Sequence, residues 1–307
     1  MNIGITGGAG FIGSRLSKQL VTNGEDVLVY DNLSTGKLSN LDGVKLTFIE
    51  GDIEEIQSLK KFVDKCDVII HLAAVGSVPK SIKFPDKTFR ANVVGTFNLL
   101  ELIKYKNKPI IFSSSSSVYG NNGRDIKSEL DFLLPISPYG ASKLSAEALV
   151  LSYAIAFNMK AMVFRFFNVF GPGQIPNSDY SAVIPRWAYL AMKKENLIVF
   201  GDGKHTRDFT YIDTVVEVIC RSIYQQIYLD IPINLALGNS ISLNQLIPYY
   251  EEYYGDIKVK KLARRQGDVV NSMASSELLI KHFGPIADMN LKVSLHNTFD
   301  WIKSQYK

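Results

Sequence analysis

Cysteine is almost missing from this chain: Cys66 and Cys220 are the only two among 307 residues. That excludes a disulfide framework and gives no basis for a cysteine metal site, so no metal is expected. Long apolar runs are missing too; none approaches the ~20 residues of a membrane span. Nor is either sign of charge gathered into a block. The 34 basic and 30 acidic residues are spread along the chain for a formal charge of +4. This argues against nucleic acid and membrane surfaces as partners, but leaves phosphorylated small molecules open. The start, MNIGITGGAG, has neither the basic opening nor the longer apolar stretch of a signal peptide. The expected location is cytoplasmic.

What the chain does have is alternation. NIGIT, DVLVY, KLTFIEGD, DVIIHLAA and PIIFSS are short runs rich in Val, Ile and Phe, and between them lie segments of helical spacing such as FIGSRLSKQLVTNG. A further helix, PYGASKLSAEALVLSYAIAFN, precedes a sixth strand, AMVFRFF. Strand–helix alternation of this kind predicts an α/β fold, a doubly wound parallel sheet of Rossmann type. After about residue 170 proline and glycine become common. The expected division is a dinucleotide-binding domain over 1–170, with some later segments returning to it, and a smaller α/β substrate lobe over 171–307.

The first turn supports that expectation. Gly7, Gly10 and Gly13 stand between strand and helix, where they allow a tight turn, close approach to a pyrophosphate and close helix–strand packing. The helix N-terminus adds unpaired N–H groups and a positive dipole end. Asp31 closes the second strand, where a carboxylate can accept both hydroxyls of a ribose and repel a 2′-phosphate, so NAD is favoured over NADP. Asp52 after the third strand reads first as a cap of the next helix, with the adenine amino group as its second possible partner. Ala73 and Ala74 end the fourth strand with room for a cofactor. His71, on an apolar strand, reads as a core histidine.

Tyr139 and Lys143 lie four residues apart on one helix face. A lysine ammonium and a positive nicotinamide ring would both favour the phenolate of a residue whose ordinary pKa is near 10. Such a tyrosine could take a proton from an alcohol as hydride leaves the carbon. Taken alone, this spacing also describes an ordinary surface pair. The fifth strand, entered through Pro109-Ile110-Ile111-Phe112, runs into five serines, Ser113 to Ser117. Its apolar flanks rule out a linker, and the hydroxyls are expected at the crevice beyond the strand ends, where open α/β sheets bind ligands.

Together these segments resemble the extended short-chain dehydrogenase/reductase superfamily, and within it the nucleotide-sugar epimerases. The resemblance runs through TGGAGFIGS, YDNLSTG, GDI, HLAA, SSSSSVYG, YGASK, RFFNVFGPGQ, GDGKHTRDFTYID, NLALG and RRQGDV. AAVGSVPKS and NVFGPGQIPNSDYSAVIPRW are most similar to UDP-N-acetylglucosamine 4-epimerases. The resemblance implies a 4-epimerase with tightly bound NAD, working through a 4-keto sugar, in a homodimer packed through the segments 85–106 and 138–158. It implies Tyr139 as the base, Lys143 as the ribose ligand that lowers the tyrosine pKa, and Ser115 as the partner of the reacting oxygen. Around the cofactor it adds Phe11, Ile12, Asn32, Ser34, Thr35, Gly36, Ile53, Leu72, Asn92, Ser113 and Phe166. For the UDP-sugar it implies Ser77, Ser116, Asn168, Val183, Arg207, Arg265 and Asp268. Ser272 falls where a tyrosine would restrict the site to sugars without a 2-N-acetyl group; serine leaves room. Dehydrating relatives use an Asp-Glu pair where this chain has Ser116 and Ser117, and decarboxylating relatives use a glutamate. UDP-glucose or a UDP-uronic acid remain alternative substrates. A non-catalytic NAD-binding regulator would have no need of Tyr139, Lys143 and Ser115 together.

Overall fold

Asn2–Thr6 (β1) is buried from its second residue onward, as befits an apolar strand covered on both faces. A computed structural model describes residues 1–176, 181–263, 271–287 and 290–306. In chain order, β1 is followed by Phe11–Thr22 (α1), Asp26–Asp31 (β2), Thr47–Glu50 (β3), Ile56–Asp64 (α2) and Val68–His71 (β4). Val78–Lys83 (α3) and Pro85–Phe89 (α4) lead through one π-helical turn, Arg90–Val94, into Gly95–Ile103 (α5). Then come Ile110–Ser115 (β5), Ile126–Lys127 (β6), Pro138–Ala156 (α6), Ala161–Phe166 (β7) and Asn168–Phe170 (β8).

The later part adds Val183–Met192 (α7), Leu197–Phe200 (β9), Thr206–Tyr211 (β10), Ile212–Tyr224 (α8) and Ile233–Leu235 (β11). It closes with Ser240–Ser242 (β12), Leu243–Tyr254 (α9), Val259–Leu262 (β13), Asn271–Ala274 (β14), Glu277–Phe283 (α10) and Leu291–Tyr306 (α11).

Seven strands form one sheet in the order β11-β7-β5-β4-β1-β2-β3, and every neighbouring pair is parallel. This is the doubly wound arrangement expected from the alternation. One face packs on Leu16 and Leu20 of α1, Val215 and Ile219 of α8 and Leu279 of α10. The other packs on Leu59 and Phe62 of α2, Leu99 of α5, and Ala146 and Val150 of α6. Since β11, α8 and α10 come from beyond residue 170, the later chain completes the first sheet. A third apolar cluster joins α7, α9 and α11 around Trp187, Tyr250 and Phe299.

The long strand–helix units end where ligands would approach. Helix α6 begins with Ser137, whose side chain accepts the Gly140 N–H at 3.1 Å, and Pro138 occupies its first turn. Both features favour a helix start at this place. Asp52 behaves differently from the expectation that it caps α2: Glu55 is the residue at that cap. The Asp52 carboxylate instead accepts the Asn32 Nδ2–H and the Glu54 N–H, at 2.8 and 2.9 Å, because the chain makes an Asx-type turn one step before the helix.

Strand β10 carries a buried acid into the second lobe. Asp208 is fully buried, and its Oδ2 accepts the Ala274 N–H of β14 at 3.1 Å. Burial pushes its carboxyl up to about 6, against the pull of backbone N–H groups of Ala274 and Gly238. A raised carboxyl binds its proton more tightly in the folded chain than in the unfolded one. Its stabilising effect is therefore complete below the ordinary value of 3.8 and is lost as pH rises through 6. At about 1.4 kcal/mol per pH unit the loss is on the order of 3 kcal/mol. Asp208→Asn should thus gain stability relative to the parent chain between pH 4 and 7. Paired urea titrations at both pH values would check this, and a constant difference would rule it out.

Candidate active site

The carboxyl ends of the parallel strands gather the residues of interest. At the β1–α1 turn Gly7 has φ +70°, donates its N–H to Tyr30 O at 2.8 Å, and has no room for a side chain; a Cβ would lie 2.7 Å from Ala73 N. A Cβ on Gly13 would lie 2.3 Å from Gly7 O, so α1 can approach the strand only with glycine there. Gly10 ends the turn as the residue before α1, with extended backbone.

Asp31 is buried at the end of β2, and its two oxygens accept the Ala9 N–H at 3.0 Å and the Leu33 N–H at 2.8 Å. These bonds hold the carboxylate in place while each oxygen keeps a further lone pair for a diol. Ser34, Thr35 and Gly36 lie across the glycine turn: the Ser34 N–H is held by Asn32 Oδ1 at 3.1 Å, and the Lys37 N–H by Ala9 O at 3.1 Å. A glycine cradle that any Cβ would fill, a helix N-terminus and a fixed carboxylate suit a dinucleotide with a free ribose diol.

Several of the expected contact residues also have a structural place. Ile53 is core, packed on Gly95. Leu72 and Phe166 pack against the α1/α8 side of the sheet, and Phe11 and Ile12 against the second lobe. Ser77 caps α3 through the Lys80 N–H at 3.3 Å.

Behind Ala73 and Ala74 lies a hydroxyl–imidazole chain. The Thr96 hydroxyl donates to Asn92 O at 2.6 Å, so it must accept from His71 Nε2, 3.0 Å away. His71 Nδ1 then accepts from the Thr6 hydroxyl at 2.7 Å, and Thr6 in turn accepts the Ala73 N–H at 3.3 Å. Burial lowers His71 to about 3, with Lys143 adding to the effect, so the ring is neutral and satisfied, as the apolar strand implied. Asn92, on the π-helical turn, bridges the chain after β4 to α6. It accepts the Val75 N–H at 2.7 Å and donates to Ser142 Oγ at 2.9 Å. Its place is a brace between the cofactor wall and the tyrosine helix.

The serine row divides by direction, as alternate residues of a strand must. Ser113 donates to His71 O at 3.2 Å. Ser114 points the other way and donates to Glu147 Oε2 at 2.5 Å. Ser115 accepts the Ser117 N–H at 3.1 Å, capping the turn Ser116–Val118, and its hydroxyl acts to lower the pKa of the Tyr139 phenol. Structure thus brings Ser115, Tyr139 and Lys143 to one place.

The electrostatics differ from the simple expectation. Burial raises the Tyr139 phenol, and the hydrogen bond from Ser115 is what draws it down. Lys143, 3% exposed with Nζ 4.8 Å from the centre of the Phe112 ring, is itself lowered by burial to about 7, with Glu147 acting in the opposite direction. A desolvated lysine holds its proton weakly, so its effect on the phenol depends on what surrounds it.

Two residues past the end of β7 the chain enters a cavity of about 490 Å³ lined by Asn168, Val183 and Arg207. Asn168 donates to Asp208 O at 3.2 Å and Arg207 Nη1 to Thr206 O at 2.8 Å. Parallel pairing of β10 with β14 sets Ser272 beside Arg207. Arg265 and Asp268 lie outside the described residues. Sequence reading missed Arg186, His205 and Phe200, which line the same cavity. Two cationic or protonatable groups and a flat aromatic wall suit a nucleotide diphosphate and its base. The RW of VIPRW and the H of GDGKHTRDF were the available signals.

Residues 3–230 match the family model described as NAD dependent epimerase/dehydratase family. The chain belongs to that family. It is an NAD-dependent enzyme of the extended short-chain dehydrogenase/reductase type, an isomerase. Among solved structures it is similar to a UDP-N-acetylglucosamine 4-epimerase from Methanobrevibacter ruminantium in complex with UDP-N-acetylmuramic acid, with TM-score 0.94 and 35% identity, over 99% of this chain and 98% of that one. It is also similar to a UDP-glucuronic acid 4-epimerase from Bacillus cereus in complex with UDP-glucuronic acid and NAD, with TM-score 0.91 and 30% identity over the full length of both. A UDP-glucose 4-epimerase from Lacticaseibacillus casei is 33% identical, over 90% of this chain and 89% of that protein.

The glycine turn yields a direct check. Gly13→Ala must push α1 away from Gly7 O, and the purified variant should carry at most about a tenth of the NAD of the parent chain, since a small displacement can cost on the order of a hundredfold. Cofactor released on denaturation and measured by absorbance would show it. Equal NAD content in the two proteins would contradict the close packing described.

Proposed function

We propose that this enzyme is a UDP-sugar 4-epimerase whose preferred reaction interconverts UDP-GlcNAc and UDP-GalNAc through a 4-keto sugar. The observation that carries the reading is that the Ser115 hydroxyl acts on the Tyr139 phenol, one helical turn from Lys143, in a chain that also builds a cavity lined by Arg207 and Arg186.

NAD, held by the glycine turn of Gly7, Gly10 and Gly13 and by Asp31, would supply hydride acceptance and return at C4. Tyr139 takes the proton of the 4-hydroxyl and gives it back, while Ser115 aligns the phenol with that oxygen. Lys143 holds the nicotinamide ribose and supports the phenolate. Returning hydride to the other face requires the sugar to turn while the nucleotide stays anchored. Anchoring falls to Asn168, Val183, Arg207 and the arginine and aspartate at 265 and 268, with planar guanidinium forks suited to the diphosphate. Small Ser272 beside Arg207 leaves space for a 2-acetamido group. UDP-glucuronic acid is the second reading, favoured by the full-length likeness to the Bacillus cereus enzyme.

Purified protein given UDP-GlcNAc or UDP-glucose, with no NAD added, should form UDP-GalNAc faster than UDP-galactose, read by proton NMR. Ser272→Tyr should slow the acetamido reaction at least tenfold and leave the glucose reaction within about threefold, the discrimination of roughly 1–3 kcal/mol that pocket size supports. Turnover of UDP-glucose alone by the parent chain would defeat the Ser272 argument, and turnover of UDP-glucuronic acid alone would move the assignment to uronic acids.

We propose in addition that the enzyme is a homodimer, joined through α4, α5 and α6. Phe89, Phe97 and Ile155 on these helices are 53%, 43% and 69% exposed, and Tyr105, in the turn after α5, is 80% exposed. Phe97 and Tyr153 stand edge to face at 6.5 Å, so the outward faces of α5 and α6 are continuous. Apolar surface gathered in this way marks an association site. Phe97→Glu should convert a sedimenting dimer into a monomer with an unchanged circular dichroism spectrum. A parent chain that sediments as a monomer would remove the dimer from this account.

A further inference from the structure

Helix α6 carries a third functional-looking residue in step with the first two. Tyr139, Lys143 and Glu147 follow at intervals of four and share a face. Glu147 is 2% exposed, and its carboxylate is fully engaged. Oε2 accepts the Ser114 hydroxyl at 2.5 Å; Arg165 of β7 donates Nε to both oxygens at 3.2 and 3.1 Å and Nη2 to Oε1 at 2.5 Å. Arg165 Nη1 donates onward to the Tyr119 hydroxyl at 2.8 Å, and its guanidinium lies 4.8 Å from the centre of that ring. Tyr119 donates to Asn234 Oδ1 at 2.6 Å, and the Asn234 N–H reaches Glu129 Oε1 at 2.8 Å. One buried polar cluster thereby ties β5, the turn after it, α6, β7 and β11 together.

Stability does not explain the cluster. A buried ion pair gains little over well-packed hydrocarbon, because desolvation offsets the attraction. What it does is fix geometry: Ser114 is the immediate neighbour of Ser115, and Glu147 is one turn from Lys143. We infer that Glu147 is a positioning residue of the epimerisation site, clamping the strand end that carries Ser115 to the helix that carries Tyr139 and Lys143, and giving Lys143 its counter-charge. The groups facing it are Ser114 from β5, Arg165 from β7, Lys143 from its own helix, and neutral His71 from β4 beyond Lys143. Burial draws Lys143 down to about 7 and Glu147 opposes that. Without the carboxylate, Arg165 is left as an unopposed cation, and Lys143 gives up its proton at lower pH.

The kinetic side of this inference rests on the epimerase reading; its structural side does not. Glu147→Gln keeps the shape and removes the charge. Assayed well below its melting temperature with the UDP-sugar that the parent chain turns over, it should lose about tenfold to a hundredfold in kcat with KM within about threefold, the scale set by slight misplacement of reacting groups. The basic limb of its kcat profile should move to lower pH. Amide hydrogen exchange over residues 113–118 should quicken at least tenfold, whether or not a substrate is known. Ser114→Ala removes one bond of the clamp without unpairing Arg165, and should quicken exchange over the same stretch by a smaller factor. Unchanged kcat, pH profile and exchange in Glu147→Gln, with only a lower melting temperature, would overturn the inference. If the parent chain turns over no UDP-sugar, the functional reading fails and exchange decides alone: faster exchange supports the clamp and unchanged exchange overturns it.

Discussion

An amino group shut away from water must find a counter-charge or lose its proton, and Lys143 stands near that balance. Its surroundings are the Phe112 ring on one side and the Glu147–Arg165 pair further along the helix. Much of the site can be read as the settlement of this one group. Tyr139 is placed a turn before it, where a cation would matter most to a phenol that burial otherwise holds neutral. His71, which feels the Lys143 charge, is held neutral by burial and by that charge, with both its nitrogens engaged by hydroxyls. It therefore adds no second charge to repel the ammonium.

The two lobes are joined with little slack. The end of β7 and the start of β8 are one residue apart, so the chain passes at once from the seven-stranded sheet to the wall of the cavity lined by Asn168, Val183 and Arg207. Strand β10 then receives β8 on one stretch and β14 on the other. Asn168, Arg207 and Ser272 are consequently placed by backbone pairing rather than by long flexible loops. For the reaction proposed above, in which the sugar would turn while the nucleotide stays, a wall fixed by backbone pairing is the useful arrangement.

Features that depend on local spacing were readable in the sequence. Gly7, Gly10 and Gly13 with Asp31, or Tyr139 with Lys143, carry their geometry in their intervals. The serine row was readable as a strand end, but its division of labour was not, because Ser114 and Ser115 are told apart only by what each face of β5 meets. Asp52 misled because a turn and a helix cap favour the same residue type, and here the turn residue stands three positions before the cap at Glu55. The cavity residues Arg186, Phe200 and His205 come from α7, the end of β9 and the loop before β10, so no short window of sequence shows them together. Glu147 was hidden for the same reason: its meaning lies in Arg165 and Ser114, from two other strands. Pairings such as β6 with β14 are remote in sequence and carry no local mark.

The chemistry of hydroxyls, set against that of carboxylates, narrows what the site can do. Removing water from a sugar, or carbon dioxide from a sugar acid, calls for a second acid or base beside the tyrosine. At the strand end this chain offers Ser115, Ser116 and Ser117, none of which titrates near neutral pH. The buried carboxylate in reach, Glu147, faces Ser114 and Arg165 with both oxygens occupied, and both His71 nitrogens are engaged. That leaves one relay, Tyr139 with Lys143 a turn further along α6, to accept a proton and give it back. A single proton acceptor suffices only when the proton removed on oxidation is the one restored on reduction. Epimerisation meets that condition, because substrate and product differ in configuration and not in composition.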